Sequence, residues 1–322
     1  MAKVAVLDDW QGVARTSADW SPLEAKADVV FFADAFADED AAADALAGFD
    51  IILTMRERTP FPASLIARLP HLRMIGITGK ANASLDVAAC TARGIIVSNT
   101  ESRGPGGASA TAELALGLLI ASARGIAAGD AAIRQGGFQG GVPVGETLAG
   151  RVLGIIGLGR LGRMMAGYGQ ALGMTVLAWS QNLTPETAGQ AGVTYAAKDH
   201  LLAEADAVSL HLVLSDRTRG IIGAADIARM KPRAIFINTS RAGLVDQPAL
   251  LAAVQAGRIR AALDVFAHEP LAADDPWRQA PNTVLTPHIG YGVAETWADF
   301  YPQSVENALA FLDGRPIRVV TA

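Results

Sequence analysis

Cysteine is almost missing: Cys90 is the only one in 322 residues. No intramolecular disulfide can form, a lone thiol argues against a cysteine-built zinc site, and no metal is expected. Positive charge is not in excess either. The 27 Lys and Arg against 32 Asp and Glu give a net charge of -5 and a pI near 5.6. That balance argues against nucleic acid or an anionic membrane as the main partner. Anion sites must then be local, made by a few basic residues and backbone amides. No uncharged apolar run approaches the ~20 residues needed to cross a bilayer. The opening stretch from Met1 meets Asp8 and Asp9 too early for a secretory signal, so a cytoplasmic location is expected. Repeats of solenoid length and low-complexity tails are absent as well.

What is present suits two domains. The chain is long for one core, and 51% hydrophobic against 18% charged residues supplies ample material for burial. Short apolar runs at Val4–Leu7, Val29–Phe32, Ile51–Thr54, Met74–Ile77 and Ile95–Ser98 read as strands. Asp38–Leu46, Ala63–Arg68 and Asp86–Arg93 read as helices between them. Such alternation favours a parallel sheet covered on both faces. The Gly- and Pro-rich stretch Asn99–Gly107 then reads as a linker or hinge. A long helix is expected over Ala110–Arg124, and Gly136–Gly145 reads as an ordinary loop or an arm packing on a partner subunit.

A second series follows, with strands at Val152–Ile156, Met174–Trp179, Ala207–Leu212, Ala234–Asn238, Arg260–Asp264 and Thr283–Leu285. Helices are expected from Leu161, over Lys198–Glu204, Ala224–Met230 and Gln247–Ala256, and over Val293–Leu312 with Pro302 kinking it. The first strand of this series runs into Gly157-Leu-Gly159-Arg160-Leu161-Gly162 and then into a helix. In that setting the glycines have separate tasks. Gly157 permits the tight turn, Gly159 admits a pyrophosphate to the backbone, and Gly162 lets helix and strand approach. The next strand should end near an acid that binds the adenosine ribose. Here Ser180-Gln-Asn follows Trp179, and no Arg or Lys occurs between Ser180 and Lys198. The tip is neutral, which leaves NAD(H) the favoured cofactor and NADP(H) the alternative.

Three later segments place ionisable residues beyond consecutive strands: Arg241 after Asn238-Thr239-Ser240, Asp264 and Glu269 after Ala262-Leu263, and His288 before Gly290. Ligands bind outside the carboxyl ends of strands in such sheets, so these residues point toward one crevice. Of the five histidines, His71, His200 and His268 read as loop or helix-start residues. His211 reads as a packed or cofactor-adjacent group. Only His288 is placed for acid–base work.

Together with the glycine turn, these segments resemble the D-isomer-specific 2-hydroxyacid dehydrogenase family, and the likeness spans nearly the whole chain. It includes Thr78-Gly79-Lys80-Ala-Asn-Ala-Ser-Leu-Asp86, which is similar to the family's substrate loop. The resemblance implies an α/β fold of two doubly wound parallel-sheet domains. A flavodoxin-like substrate domain would take residues 1–99 plus 291–322, and a Rossmann cofactor domain 100–290. It implies hydride transfer between NAD(P)H and a small 2-oxo acid or D-2-hydroxy acid of glyoxylate, hydroxypyruvate or phosphoglycerate type. Arg241 would hold the substrate carboxylate, His288 would act as acid and base, and Glu269 would orient it. Asp264 would orient the nicotinamide carboxamide. Gly157, Gly159, Arg160, Leu161, Gly162, Ser180, Thr239 and Gly290 would complete the cofactor site.

Backbone amides at Thr78, Gly79 and Lys80 would grip the carboxylate, with Arg56 reaching either the cleft or the surface. A homodimer is implied, with Ala110–Arg124 and Gly136–Gly145 as contacts. Val213 departs from the proline many members carry there. Lys80 brings a positive charge to the loop, for a second anionic group or for solvent. No appended regulatory domain is expected. Two other readings share the fold: a nucleotide-sensing binding protein, and a formate dehydrogenase-like enzyme, against which the Glu269–His288 pair argues.

Overall fold

The computed structural model describes residues 1–101 and 105–321. It divides into one unit formed by Met1–Ala108 with Gly292–Ala322 and another formed by Ser109–Tyr291. In the first unit, β1 (Ala2–Val6), β2 (Ala27–Phe31), β3 (Ile51–Leu53), β4 (Met74–Gly76) and β5 (Ile96–Ser98) form a parallel sheet ordered β2-β1-β3-β4-β5. This is the flavodoxin-like winding, with order reversing between β1 and β3. Ala5, Leu7, Ile52, Ile75 and Val97 join Leu46, Leu65 and Ile66 from the flanking helices, and Leu69 just beyond one of them, in one buried cluster.

The helix Ala294–Leu312 belongs to this unit and continues through Pro302. Its side chains complete the exposed backbone beyond β5. Asn307 donates to the Asn99 carbonyl at 2.8 Å, and Gln303 donates to the Glu101 carbonyl at 2.7 Å.

In the second unit, β6 (Val152–Ile156), β7 (Thr175–Trp179), β8 (Thr194–Tyr195), β9 (Ala207–Leu210), β10 (Ile235–Asn238), β11 (Arg260–Leu263) and β12 (Thr283–Leu285) pair in parallel. The order β12-β11-β10-β9-β6-β7-β8 reverses between β6 and β9, as in a Rossmann sheet. Alternate residues feed two cores. Ile156, Leu210 and Phe236 enter one face, while Leu153, Ile155, Ile235 and Ile237 enter the other. That two-sided burial is why these strands read as continuous apolar runs.

Some expectations change. The long helix begins at Pro105 rather than Ala110, so Gly106 and Gly107 lie inside it and not in a linker. Proline suits a first helical position because the N–H it lacks would have no helical partner there. Residues 102–104 of the expected hinge lie outside the described residues. Several short elements were not expected: the helices Ala14–Ser17, Ser21–Glu24, Ile126–Arg134 and Pro185–Gln190, the 3-10 turns Ala242–Leu244 and Pro276–Gln279, and β8. Ile126–Arg134 buries no residue and follows Gly125 at φ 62°, so its apolar residues meet no core within the chain. Gly136–Gly145 is irregular and exposed, as expected.

Candidate active site

The turn after β6 is built by close approach. Gly157 has φ 100°, and a Cβ there would lie 2.6 Å from the His211 carbonyl oxygen. A Cβ on Gly162 would lie 2.0 Å from the Gly157 oxygen, an overlap no rotamer relieves. Gly159 is different, since no atom lies within 4 Å of a Cβ built on it. It caps the helix Arg160–Ala171 without any side-chain hydrogen bond. Arg160 is exposed and Leu161 half-buried at the start of that helix. The open face at Gly159 and the uncapped helix start fit a diphosphate, whose charge the first-turn amides and helix dipole favour. Thr239, beyond β10, adds a buried Oγ1 with no hydrogen-bond partner, a donor suited to a bound polar group. These residues fit a dinucleotide.

Beyond β7, Ser180 is half-buried at the strand tip, and Gln181 beside it is exposed. A neighbour the sequence did not reveal comes from the loop beyond β9. Gln181 Nε2 donates to the Arg217 carbonyl at 3.1 Å, and Arg217 Nη2 donates to Gln181 Oε1 at 3.4 Å. The two lie 36 residues apart, so no inspection of the tip's own segment could pair them. Also beyond β9, His211 shares a 2.9 Å hydrogen bond between its Nε2 and Ser209 Oγ, while Nδ1 is buried without a partner. Burial pushes its pKa down to about 4, which keeps the ring neutral.

Arg241 is half-buried beyond β10 and donates to the Ser240 carbonyl at 2.7 Å. Asn238 at the strand end braces this turn. Its side chain accepts from Ser240 N and donates to the Arg241 carbonyl, at 2.9 and 3.0 Å. The exits of β11 and β12 are joined more tightly. Glu269 Oε1 accepts from Phe266 N at 2.8 Å, and Oε2 lies 2.5 Å from His288 Nδ1. The carboxylate is thus fixed at one oxygen and meets the imidazole with the other. Tyr291 stands edge-on to His288 with ring centroids 5.8 Å apart.

His288 has φ 53°, a conformation residues with a Cβ seldom adopt. Asp264 shows what holds it there. Its carboxylate is buried and accepts from Thr286 Oγ1 at 2.6 Å, Ile289 N at 2.9 Å and Gly290 N at 2.8 Å. These donors lie on both sides of His288. Burial pushes the Asp264 carboxyl up from its ordinary range, while those hydrogen bonds and the nearby histidine pull against the rise. Asp264 is therefore a clamp on the histidine loop, a task the sequence had not disclosed. Gly290 is also confined, because its oxygen accepts from Thr111 at 2.9 Å and a Cβ would lie 2.9 Å from Asp264 Oδ2.

In the first unit, Arg56 N donates to Thr78 Oγ1 at 2.7 Å, and Arg56 Nη1 donates to the Thr78 carbonyl at 2.9 Å. A Cβ on Gly79 would lie 2.0 Å from that guanidinium nitrogen. Arg56 thus lies on the Thr78–Gly79 backbone, where the sequence left cleft and surface open. The Gly79 amide differs from the expected free donor. It donates to Thr100 Oγ1 at 2.9 Å, because the end of the loop after β4 is tied to the end of the β5 segment. Lys80 is exposed.

A parallel sheet with a glycine-built first turn and an open helix start defines a dinucleotide-binding unit. Residues 116–290 match the family profile described as D-isomer specific 2-hydroxyacid dehydrogenase, NAD binding domain. The chain belongs to that family. It is 38% identical over 244 residues to a D-3-phosphoglycerate dehydrogenase of Mycobacterium tuberculosis, covering 76% of this chain and 46% of that protein. The chain therefore spans about half the length of such relatives. It is 36% identical over 260 residues to a glyoxylate reductase of Aeropyrum pernix, covering 78% of this chain and 76% of that one. The crystal structure of a phosphoglycerate oxidoreductase from Vibrio cholerae superposes with a TM-score of 0.91 at 36% identity, covering 98% of this chain and all of that one.

Proposed function

We propose that this chain transfers a hydride between a nicotinamide dinucleotide and a small D-2-hydroxy acid or its 2-oxo partner. The observation that carries the reading is the 2.5 Å pairing of Glu269 with His288 Nδ1 at adjacent strand exits of the dinucleotide-binding unit. When bound, the nicotinamide supplies or accepts the hydride. Glu269 accepts a hydrogen bond from Nδ1–H, which orients the ring so that Nε2–H gives its proton to the C2 oxygen during reduction and Nε2 takes it back during oxidation. Arg241 holds the substrate carboxylate, for which a planar, permanently charged guanidinium is suited. Asp264 keeps the histidine loop in place, and its remaining acceptor capacity serves the carboxamide.

Gly157, Gly159, Arg160, Leu161 and Gly162 take the diphosphate, with Ser180 at the ribose, while Thr239 and Gly290 border the cofactor. Arg56, Thr78, Gly79 and Lys80 belong to substrate binding. Here the positive side chains of Arg56 and Lys80 and the amides other than that of Gly79 are the useful groups.

The active form in this reading is a homodimer in the cytoplasm. Ile126, Ile133, Phe138 and Val144 expose apolar surface, and a cleft of about 410 Å³ lined by Ile120, Arg124, Glu146 and Leu172 lies in the same unit. A partner's matching surface would cover them. The enzymatic reading is tested by following absorbance of NADH and NADPH, separately, with glyoxylate, hydroxypyruvate, pyruvate and an aromatic 2-oxo acid. Oxidation of either cofactor supports it. Tight cofactor binding without turnover on any acid would favour a nucleotide sensor instead.

A further inference from the structure

We infer that Arg217, reaching the tip of β7 from the loop beyond β9, makes this chain selective for the 2′-phosphorylated dinucleotide, NADP(H). The inference rests on the dinucleotide reading above and adds the identity of the nucleotide. The strand tip after β7 decides between the two cofactors. An acid there binds the ribose 2′-hydroxyl and repels a phosphate, whereas a nearby arginine accepts the phosphate. This tip carries Ser180, Gln181 and Asn182, so the repelling charge is missing.

Arg217 is attached to the tip by a reciprocal pair of hydrogen bonds with Gln181, one through its own backbone carbonyl. The backbone bond matters because it fixes where the arginine starts, whatever its side chain does. The loop that presents it is a compact turn. Ser215 N donates to Thr218 Oγ1 at 2.8 Å, Thr218 Oγ1 donates to the Val213 carbonyl at 2.6 Å, and Arg219 N donates to the Ser215 carbonyl at 2.9 Å. The guanidinium is exposed and has five donor hydrogens, of which one meets Gln181.

Lys198 supports the same sign of charge behind the tip but is not itself available. It donates to Asp226 at 2.9 Å and to the Ile221 carbonyl at 3.1 Å, near the ring of Trp179. Asp216 shares the exposed loop and offsets one positive charge, while Arg219, two residues on, has its guanidinium against Gly243, so Arg217 is the arginine hydrogen-bonded to the tip.

The test is calorimetric titration of the full chain with 2′,5′-ADP and 5′-ADP, which read the phosphate without any turnover. The expected result is at least about tenfold tighter binding of 2′,5′-ADP at low salt, with the preference shrinking as salt screens the exposed pair. Arg217→Ala should abolish most of that ratio and leave 5′-ADP affinity unchanged, and Arg217→Lys should retain part of it. Equal affinities in the wild type, or a ratio untouched by Arg217→Ala, would overturn the inference. NADH binding is measured alongside. If NADH binds and 2′,5′-ADP shows no preference, only the selectivity fails; if no nucleotide binds, the dinucleotide reading fails with it.

Discussion

The two units share a winding rule and treat their first turn in opposite ways. Each sheet reverses order beside its first strand, between β1 and β3 in one and between β6 and β9 in the other, which is where such sheets open a crevice. In the second unit the turn is glycine, and the helix that follows has no side-chain cap. In the first unit the same place is closed by the chain itself. Asp9 accepts from Val13 N and Ala14 N, at 2.8 and 3.1 Å, placing an internal carboxylate at the start of the first helix. Asp8, at φ 59°, accepts from Thr59 Oγ1 at 2.9 Å, and Arg58 donates to the Asp8 carbonyl at 2.6 Å while lying 4.3 Å from the Trp10 ring. Winding creates the crevice, but residue choice decides whether an external anion or the chain's own carboxylate occupies it.

The sharpest way to test that contrast is to attack the unit assigned the chemistry. His288→Gln should lower turnover by about 10²–10⁴-fold, the usual worth of a general acid, while NADPH still binds by fluorescence titration. An unchanged rate would remove His288 from the proton transfer. Gly162→Ala should cost about 3 kcal/mol of stability in chemical denaturation, because the new methyl overlaps the Gly157 oxygen. It should also abolish dinucleotide binding. A variant of normal stability and affinity would mean that the turn relaxes freely.

The buried titrating groups predict opposite pH responses in the two units. His211 has a pKa of about 4, against 6.5 for a free histidine. Its neutral form stabilises the second unit above pH 6.5, and that stability is lost as pH falls through about 4, by up to about 3 kcal/mol. Burial raises Asp8 to about 6 from 3.8. Its contribution is full below 3.8 and is lost as pH rises through 6. Asp8→Asn should therefore raise the stability of the first unit at pH 7 by about 1–3 kcal/mol. Asparagine also tolerates the positive φ. Hydrogen exchange resolved by unit, run between pH 4 and 7, reads both. Parallel slopes in the two units would break the comparison.

Much of this was legible in the chain. The strand runs, the glycine turn and the order Arg241, Glu269, His288 depend on local pattern, and two-sided burial makes parallel strands conspicuous. Contacts between distant loops were not legible. Arg217 meets Gln181, Asp264 grips the backbone around His288, and Thr100 takes the Gly79 amide, each through a pairing that only the fold creates. The Ile126–Arg134 helix escaped for another reason: it is short and its apolar residues Ile126 and Ile133 meet no core within the chain.

The crowding of the glycine turn bears on how this protein could change. Gly157 and Gly162 each lie against backbone, so nearly every substitution at either is a dead end. Gln181 and Arg217 are exposed and Ser180 is half-buried, and all three carry side chains that can be exchanged. A lineage, or a laboratory selection, that alters cofactor preference has its open route through those three positions while the turn itself stays unchanged.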